Sequence, residues 1–411
     1  MPDLNTTSGK KTMNANLHWL NQKRLIFYSR ISLALFLVIG SGFVLTPDGL
    51  PICRDFITFW TASHLALTGH AQDAYNISLL LKAEQADVPL SQIPLPWFYP
   101  PPFYLVVLPL ALLPFLAAYW TFTLSTLGGY FLVLRRIVRG KTAMWCLAGF
   151  SGLWINLFHG HNAFLTAALA GAALLSVERR PVLAGVFIGL LAIKPHLAIL
   201  FPVVLLAIGA WRTLITAVVT VIIFMAIGTV TLGTGVLTGF IANLGYARLY
   251  VETGLLPWVK TPTVFAFLRL LGMPVAWAYV VHFVVAAGAV IVVWHVWRRS
   301  QNRNLRSAAL MTATFLVSPY VFDYDLAWLA FPIAWLALDS LRNGWLRGER
   351  EVLVAAWLLP LVMVFIAASL NVQIGSFVLC SLLWIIYRRA TTTSMMGAVV
   401  IDDHADQYEI P

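Results

Sequence analysis

An acidic residue placed among aromatic side chains is the first feature of this chain that could do chemistry. Asp55 lies in the stretch 51–60, Pro-Ile-Cys-Arg-Asp-Phe-Ile-Thr-Phe-Trp, just past the first apolar span. Only 17 of the 411 residues are Asp or Glu, so an acid at this place is unusual. Ionisable groups at the edge of a membrane bundle are functional candidates, and a carboxylate can act as a general base. Pairing with Arg54, or capping of the next helix, stays an open alternative.

A lysine inside a strongly apolar run is the second candidate. Lys194 is followed by Pro195 and His196, which predicts a broken helix lining a polar cavity. A cation there is suited to holding a phosphate. Alternatively, the side chain extends to the lipid headgroups. An unpaired ammonium at this depth would cost about 2.5–3.5 kcal/mol on insertion scales.

Further polar residues are predicted to converge on the same face. The segment 159–162 is His-Gly-His-Asn, and the segment 318–325 is Ser-Pro-Tyr-Val-Phe-Asp-Tyr-Asp. A lone histidine at a membrane boundary more often fills the interface than binds a ligand. We expect one of Asp323 and Asp325 to cap a helix that begins at Leu326.

An all-helical, polytopic membrane bundle must position these residues. The chain is 60% hydrophobic and 11% charged, and its mean hydropathy is +0.82. Its long apolar runs lack the period-2 alternation of a membrane barrel. The three scattered cysteines predict no disulfide framework. We see no metal-ligand spacing and predict neither a metal nor another cofactor.

The net charge of +10 orients the bundle and does not predict a nucleic-acid partner. Basic residues cluster at the N-terminus and in alternate loops, as the positive-inside pattern requires. Both termini are therefore predicted to be cytoplasmic. The Lys and Arg residues left outside the cytoplasm are Arg54, Lys82, Lys194, Arg248, Lys260 and Arg269.

About twelve transmembrane segments can be drawn within a membrane domain at 25–389. It is flanked by cytoplasmic tails at 1–24 and 390–411. The first span, about 25–45, is typical of an uncleaved signal-anchor. This pattern points to the cytoplasmic membrane of a bacterium.

Some of these segments are too short to cross about 30 Å of hydrocarbon. Those around 160–162 and 194–196 are therefore predicted to form hairpins whose tips lie in the outer half of the membrane. The run 103–134 is instead too long for one span, and we expect Pro109 and Pro114 to break it.

Two outward segments, 47–102 and 233–275, are long enough to do more than connect spans. The first is expected to hold helices that lie in the interface. It ends in a proline-rich strap that should place Trp97, Phe98 and Tyr99 at headgroup level. Neither segment contains a glycine-rich phosphate loop, a nucleophile elbow or an HExxH helix.

Several motifs follow one another between about 50 and 330. They are Arg-Asp-Phe-x-x-Phe-Trp-x-Ala-Ser-His at 54–64, Asp-Ala-Tyr-Asn at 73–76, Phe-Tyr-Pro-Pro-Pro-Phe at 98–103, Gly-His-Asn at 160–162, a Gly-x-x-x-Gly…Lys-Pro segment at 184–196, and Ser-Pro at 318–319. Taken together in this order, these motifs resemble glycosyltransferase family 87, whose members use polyprenyl-phosphate sugars and have Gly-Gln-Asn where this chain has Gly-His-Asn.

The resemblance implies a GT-C-like helical bundle with interfacial helices in the first periplasmic loop and an active site at the outer face. A mannose-like or arabinose-like sugar would pass from polyprenyl phosphate to a glycolipid or glycan acceptor, within membrane lipid. Asp55 would be the base, with Lys194, Arg54 and His196 at the donor phosphate. The residues expected at the acceptor and the sugar are His64, Tyr99, His161, Asn162, Asp323, Tyr324 and Asp325.

One departure concerns a histidine. The family commonly has Trp-Asp-His where this chain has Phe322, Asp323 and Tyr324. If that histidine assists the reaction, its role here is expected to fall to Tyr324, Asp325 or another residue such as His64.

Two other functions fit parts of the pattern. A transporter or flippase of a lipid-linked sugar would explain many spans, an intramembrane lysine and broken helices. Against it, no internal repeat relates two halves, and the polar residues cluster at one face. A noncatalytic scaffold would leave the polar outer loops unexplained.

Overall fold

The computed structural model of the protein describes residues 19–44, 54–87 and 95–405, with side chains for 19–41, 55–86 and 95–392. Over these ranges the chain forms eighteen α-helices and no strand, which confirms the all-helical prediction. The helices are α1 Gln22–Val44, α2 Arg54–Leu67, α3 Ile77–Asp87, α4 Pro101–Val107, α5 Phe115–Ile137, α6 Lys141–Ala148, α7 Ser151–His159, α8 Ala163–Ser176, α9 Pro181–Leu190, α10 Leu200–Ala207, α11 Trp211–Leu232, α12 Thr234–Thr253, α13 Val264–Leu270, α14 Val275–Arg299, α15 Arg303–Val317, α16 Ala330–Asn343, α17 Glu349–Leu370 and α18 Gly375–Ala405. Short 3-10 helices occupy Ala71–Tyr75, Leu108–Leu112, Leu191–Ile193, Pro195–Leu197, Trp258–Lys260 and Asp323–Leu329.

Four of these helices, α1, α11, α14 and α17, are long and apolar enough to cross a membrane alone. In the most apolar 18-residue stretch of each helix, only 11% to 33% of the residues are buried inside the protein. Most of their side chains therefore face outward, as bilayer contact requires. Shorter apolar helical segments, of 10–17 residues, are Pro101–Leu112, Ala163–Ser176, Pro181–Ile193 and Pro195–Ala207. The predicted tail at 390–411 begins inside α18, which continues to Ala405, and the predicted tail at 1–24 lies largely outside the described residues.

Prolines break the long apolar run between 103 and 134, as the sequence predicts. Helix α4 ends at Val107, and Pro114 is the N-cap of α5. Proline fixes φ and has no N–H to donate, so it favours the start of a helix over its interior. The strap before this break is also extended, but Trp97 is fully buried in the protein and does not lie at the surface.

The chain also breaks at Lys194. Helix α9 has ten residues and α10 has eight, so they are about 15 and 12 Å long. Neither can cross the hydrocarbon alone. Two 3-10 helices join them, and Lys194 lies between these two with φ −145° and ψ 70°.

Two glycines let α9 lie directly against α11. A Cβ atom on Gly185 would come within 2.6 Å of the Thr213 carbonyl oxygen, and one on Gly189 would overlap the Thr220 side chain. Small residues at this four-residue spacing allow close helix packing within membranes. The hairpin that carries Lys194 is thereby held against a long apolar helix.

Polar contacts gather at two opposite ends of the bundle. Helix α5 has 23 residues and a length of about 34 Å, and it runs from one end to the other. Near its start, the Trp60 indole donates to the Leu113 carbonyl, and the candidate residues lie around this end. At the other end lie Arg135 and the buried ion pairs of Arg389 with Asp339 and Glu349.

Candidate active site

Asp55 forms a hydrogen-bonded pair with His159. Asp55 lies in the first turn of α2, and His159 is the last residue of α7. His159 Nδ1 donates to Asp55 Oδ2 at 2.9 Å, and 22% of the histidine side chain and 23% of the aspartate side chain stay exposed. The carboxylate is therefore held in a fixed orientation while a substrate can still reach it.

Gly160 permits this close approach of two helices. Its φ of +67° ends α7 in a left-handed turn. A Cβ atom there would lie 2.8 Å from the Phe56 Cβ and from the Tyr119 ring. The Tyr119 hydroxyl also donates to the Leu157 carbonyl at 2.6 Å. The hairpin tip is thus held against α2, which places His159 beside Asp55.

An aromatic wall stands next to this pair; it consists of Tyr99, His161, Phe322 and Tyr324. The Tyr324 ring stacks on His161 with centroids 3.7 Å apart and on Phe322 at 5.3 Å. The Tyr99 hydroxyl lies 2.8 Å from His161 Nε2. Burial raises the pKa of Tyr99 well above its ordinary value, so the phenol keeps its proton. Asn162 is fully buried beside Tyr99 and His161.

Lys194 forms a buried ion pair with Asp325. The Nζ–Oδ1 distance is 2.5 Å, and the two side chains are 3% and 0% exposed. The ammonium also lies 4.9 Å from the centre of the Tyr324 ring. Lys194 is therefore not an unpaired ammonium, because Asp325 offsets the cost of burying the charge.

Asp325 has a second contact that fixes the turn before α16. Its Oδ2 accepts a hydrogen bond from the Phe322 N–H at 3.1 Å. The expected α-helix from Leu326 is absent at that point, because Asp323–Leu329 is a 3-10 helix and α16 begins at Ala330. Asp325 thus helps to cap the 3-10 helix Asp323–Leu329 through the Phe322 N–H and neutralises Lys194, so the capping prediction holds for Asp325 but the capped helix is not an α-helix that begins at Leu326.

Asp323 is buried near the Asp55–His159 pair. Its Oδ1 accepts from the Tyr324 N–H at 2.9 Å, and only 3% of the residue is exposed. Burial raises the pKa of Asp323 above its ordinary value, and the charges of His159 and Lys260 oppose that rise. Asp323 therefore shares one electrostatic environment with Asp55, His159 and Lys260.

Lys260 is a site residue that the sequence analysis did not select. It ends a 3-10 helix that starts at Trp258. The Trp258 indole donates to the Val251 carbonyl at 2.8 Å, and the Gln373 amide donates to the Val259 carbonyl at 2.8 Å. Within the described part of the chain, Lys260 forms no ion pair with a carboxylate. The sequence did contain a signal for this residue, because Lys260 is one of the few cations outside the basic clusters.

Other predicted residues lie apart from the pair. His64 packs on Trp60 with ring centroids 4.2 Å apart, and it lies nine residues along α2 from Asp55, which is about 13 Å. His196 contacts Tyr320 edge-on at 5.1 Å and is next to Lys194 in the chain. The side chain of Arg54 lies outside the described residues.

The arrangement combines a carboxylate, two cations and an aromatic wall at one end of the bundle. Among the described residues, no cluster of three or more His, Cys, Asp or Glu side chains could hold a metal ion. A carboxylate can take a proton from a hydroxyl, and cations stabilise negative charge that develops on a leaving group. These capabilities together suit group transfer to a hydroxyl.

Comparison with protein families identifies the chain's relatives. Residues 97–319 match the model of glycosyltransferase family 87, and this range is more than half of the 411 residues. It contains Tyr99, His159, Lys194 and Lys260, whereas Asp55 lies before it. The comparisons with curated proteins and with solved structures found no significant match. The matched range confirms the resemblance carried by the motifs, and the chain belongs to glycosyltransferase family 87.

Proposed function

We propose that the protein transfers a sugar from a polyprenyl-phosphate donor to a glycolipid or glycan acceptor at the periplasmic face of a bacterial cytoplasmic membrane. The observation that carries this proposal is the partly exposed Asp55–His159 pair, which lies at the same end of the bundle as Lys194 and Lys260. Family membership supports the transferase activity, and the apolar helices support a membrane location.

In the proposed reaction, Asp55 is the general base. The acceptor hydroxyl attacks the anomeric carbon of the sugar while Asp55 takes its proton. The bond between this carbon and the phosphate oxygen breaks, and the lipid phosphate leaves as an anion. His159 donates to one carboxylate oxygen at 2.9 Å, which leaves the other oxygen for the acceptor hydroxyl. A base positioned in this way contributes about 10²–10⁴-fold to the rate.

The departing phosphate needs cationic partners, because negative charge develops on it in the transition state. We assign this role to Lys260, which has no described carboxylate partner, and to Lys194. The Lys194 ammonium carries three N–H donors, of which Asp325 accepts one. Arg54 and His196 stay candidates for the same phosphate.

The aromatic wall is proposed to contact the sugar or the acceptor. His161 and Tyr324 are stacked on each other and are only 6% and 8% exposed, so they would meet the sugar through the edges of their rings. The hydroxyl of Tyr99, the amide of Asn162 and the carboxylate of Asp323 lie beside these rings. Under this proposal, His159 takes the role of the family histidine that Tyr324 replaces.

The test is sugar transfer by membranes that contain the full-length protein. Labelled polyprenyl-phosphate mannose and polyprenyl-phosphate arabinose are supplied separately, and the label in new glycosidic bonds is measured. We expect one donor to be used, and Asp55→Asn to lose at least 100-fold in rate while the protein still inserts. Asp73→Asn, a matched acid in the same outer segment, should keep its activity.

Two outcomes would overturn the proposal. If the label crosses the membrane without a new bond, the protein is a transporter. If a well-inserted Asp55→Asn variant keeps substantial activity, Asp55 is not the base.

A further inference from the structure

A groove of about 500 Å³ opens between the end of α5 and the start of α6, at the basic end of the bundle. Gly140, with φ +106°, makes the sharp turn that joins the two helices. The groove is lined by the cations Arg135, Arg139 and Lys141 and by the apolar residues Phe131, Met144 and Trp145. It is separated from the candidate active site by the length of α5 and has no part in the proposed reaction.

The cations of this groove have no carboxylate partner in the part of the chain that the structure describes. Within the described residues, none of Arg135, Arg139 and Lys141 forms an ion pair, whereas Arg389, at the same end, pairs with two carboxylates. The sequence contains no Asp or Glu from 88 to 177, so no neighbour along the chain can neutralise them. Orienting the bundle requires cations on this side, but it does not require them to surround one concave site.

Apolar and aromatic groups border the same groove. Phe131 and Met144 line it, and Met144 is 48% exposed. The Arg30 guanidinium, from α1, lies 4.5 Å from the centre of the Trp145 ring and adds another cation nearby. Positive charge next to an exposed apolar surface matches a ligand with an anionic head and an apolar tail.

We propose that this groove binds an anionic phospholipid of the adjacent membrane leaflet. The headgroup phosphate contacts Arg135, Arg139 and Lys141, and the acyl chains lie along Phe131 and Met144. In the orientation proposed above, this is the cytoplasmic leaflet. The lipid fixes α6 against α5 by bridging their adjoining ends.

The test is thermal unfolding of the purified full-length protein in neutral detergent, titrated with phosphatidylglycerol, phosphatidylcholine or inorganic phosphate. We expect only phosphatidylglycerol to raise the Tm in a saturable way, because the site requires both an anion and acyl chains. The combined variant R135Q/R139Q/K141Q should need at least tenfold more phosphatidylglycerol for the same shift. The control R179Q/R180Q/R212Q removes the same charge from neighbouring inner loops and should respond like the parent.

Several results would overturn the inference. One is a Tm shift with phosphatidylcholine or inorganic phosphate as large as the shift with phosphatidylglycerol. Another is a groove variant that responds to phosphatidylglycerol like the parent. A third is a control variant that loses as much of the response as the groove variant. If the combined variant does not fold, native mass spectrometry of R139Q decides instead. This variant should retain fewer phosphatidylglycerol molecules than the parent, and equal retention would contradict the site.

Discussion

At the residue scale, the partner of Asp55 supports the proposal that His159 takes the role of the family histidine. By the resemblance of the motif, Tyr324 stands where the family has that histidine, and it stacks on His161. His159, from a different hairpin, contacts the carboxylate directly. A histidine that donates from Nδ1 orients the carboxylate and stabilises its charged form, wherever in the chain the histidine comes from.

We predict that His159→Phe lowers kcat about 10–100-fold, because a hydrogen bond to a charged group is worth about 1.5–3 kcal/mol. His159→Asn should lose less, since its amide N–H can reach the position of Nδ1. Initial rates with saturating donor measure both effects. His70→Phe serves as the control, because His70 is 66% exposed in the same outer segment. Parental activity in His159→Phe would remove the histidine from the mechanism.

A second residue-scale prediction concerns Lys260. Lys260→Gln should raise the donor KM or slow transfer about 10–100-fold, since it removes one charge-assisted contact to phosphate. The Tm should change little, because no described ion pair is broken. Lys82→Gln removes the same charge from the first outer segment and should leave transfer unchanged. Equal kinetics in both variants would place Lys260 outside the donor site.

At the element scale, the Lys194–Asp325 pair joins the α9–α10 hairpin to the 3-10 helix before α16. Both side chains are buried. Removal of one partner leaves a buried unpaired charge, which costs about 3–5 kcal/mol. A loss of activity in Lys194→Gln alone would therefore not separate folding from donor binding.

We predict that Lys194→Gln lowers the Tm by several degrees and that the double variant Lys194→Gln, Asp325→Asn recovers most of it, because the pair is then neutral. Donor binding should stay weak in the double variant if Lys194 contacts the phosphate. Binding of polyprenyl-phosphate sugar, measured together with the Tm, distinguishes a role of Lys194 in donor binding from a role in folding. Full recovery of binding would make the pair purely structural.

At the scale of the whole molecule, the two polar ends of the bundle predict how the protein is oriented in the membrane. A reporter fused within 60–95 or 240–265 should read periplasmic, and one within 301–305 or 343–350 cytoplasmic, because basic loops stay inside. Alkaline phosphatase activity and green fluorescence of the fusions measure the two sides. A cytoplasmic signal from 60–95 would invert the bundle and place the candidate site on the inner face.

Much of this architecture could be predicted from the sequence. Long apolar runs must form helices, because lipid offers no partner for an unpaired backbone N–H or C=O. Pro109, Pro114 and Pro195 mark the breaks, since proline cannot continue a hydrogen-bonded helix. The motifs identified the family and drew attention to Asp55, Lys194 and the segment at 323–325.

Only the tertiary structure decided which of these groups meet. His159 lies 104 positions from Asp55 and Asp325 lies 131 positions from Lys194. Hydrophobic periodicity places each residue on a helix or at a hairpin tip, but it does not say which tips pack together. Close approaches at Gly160, Gly185 and Gly189 set that packing, because backbones can approach so closely only where no Cβ intervenes. The sequence alone therefore determined the helices and the candidate residues, and helix packing assigned each charge its partner.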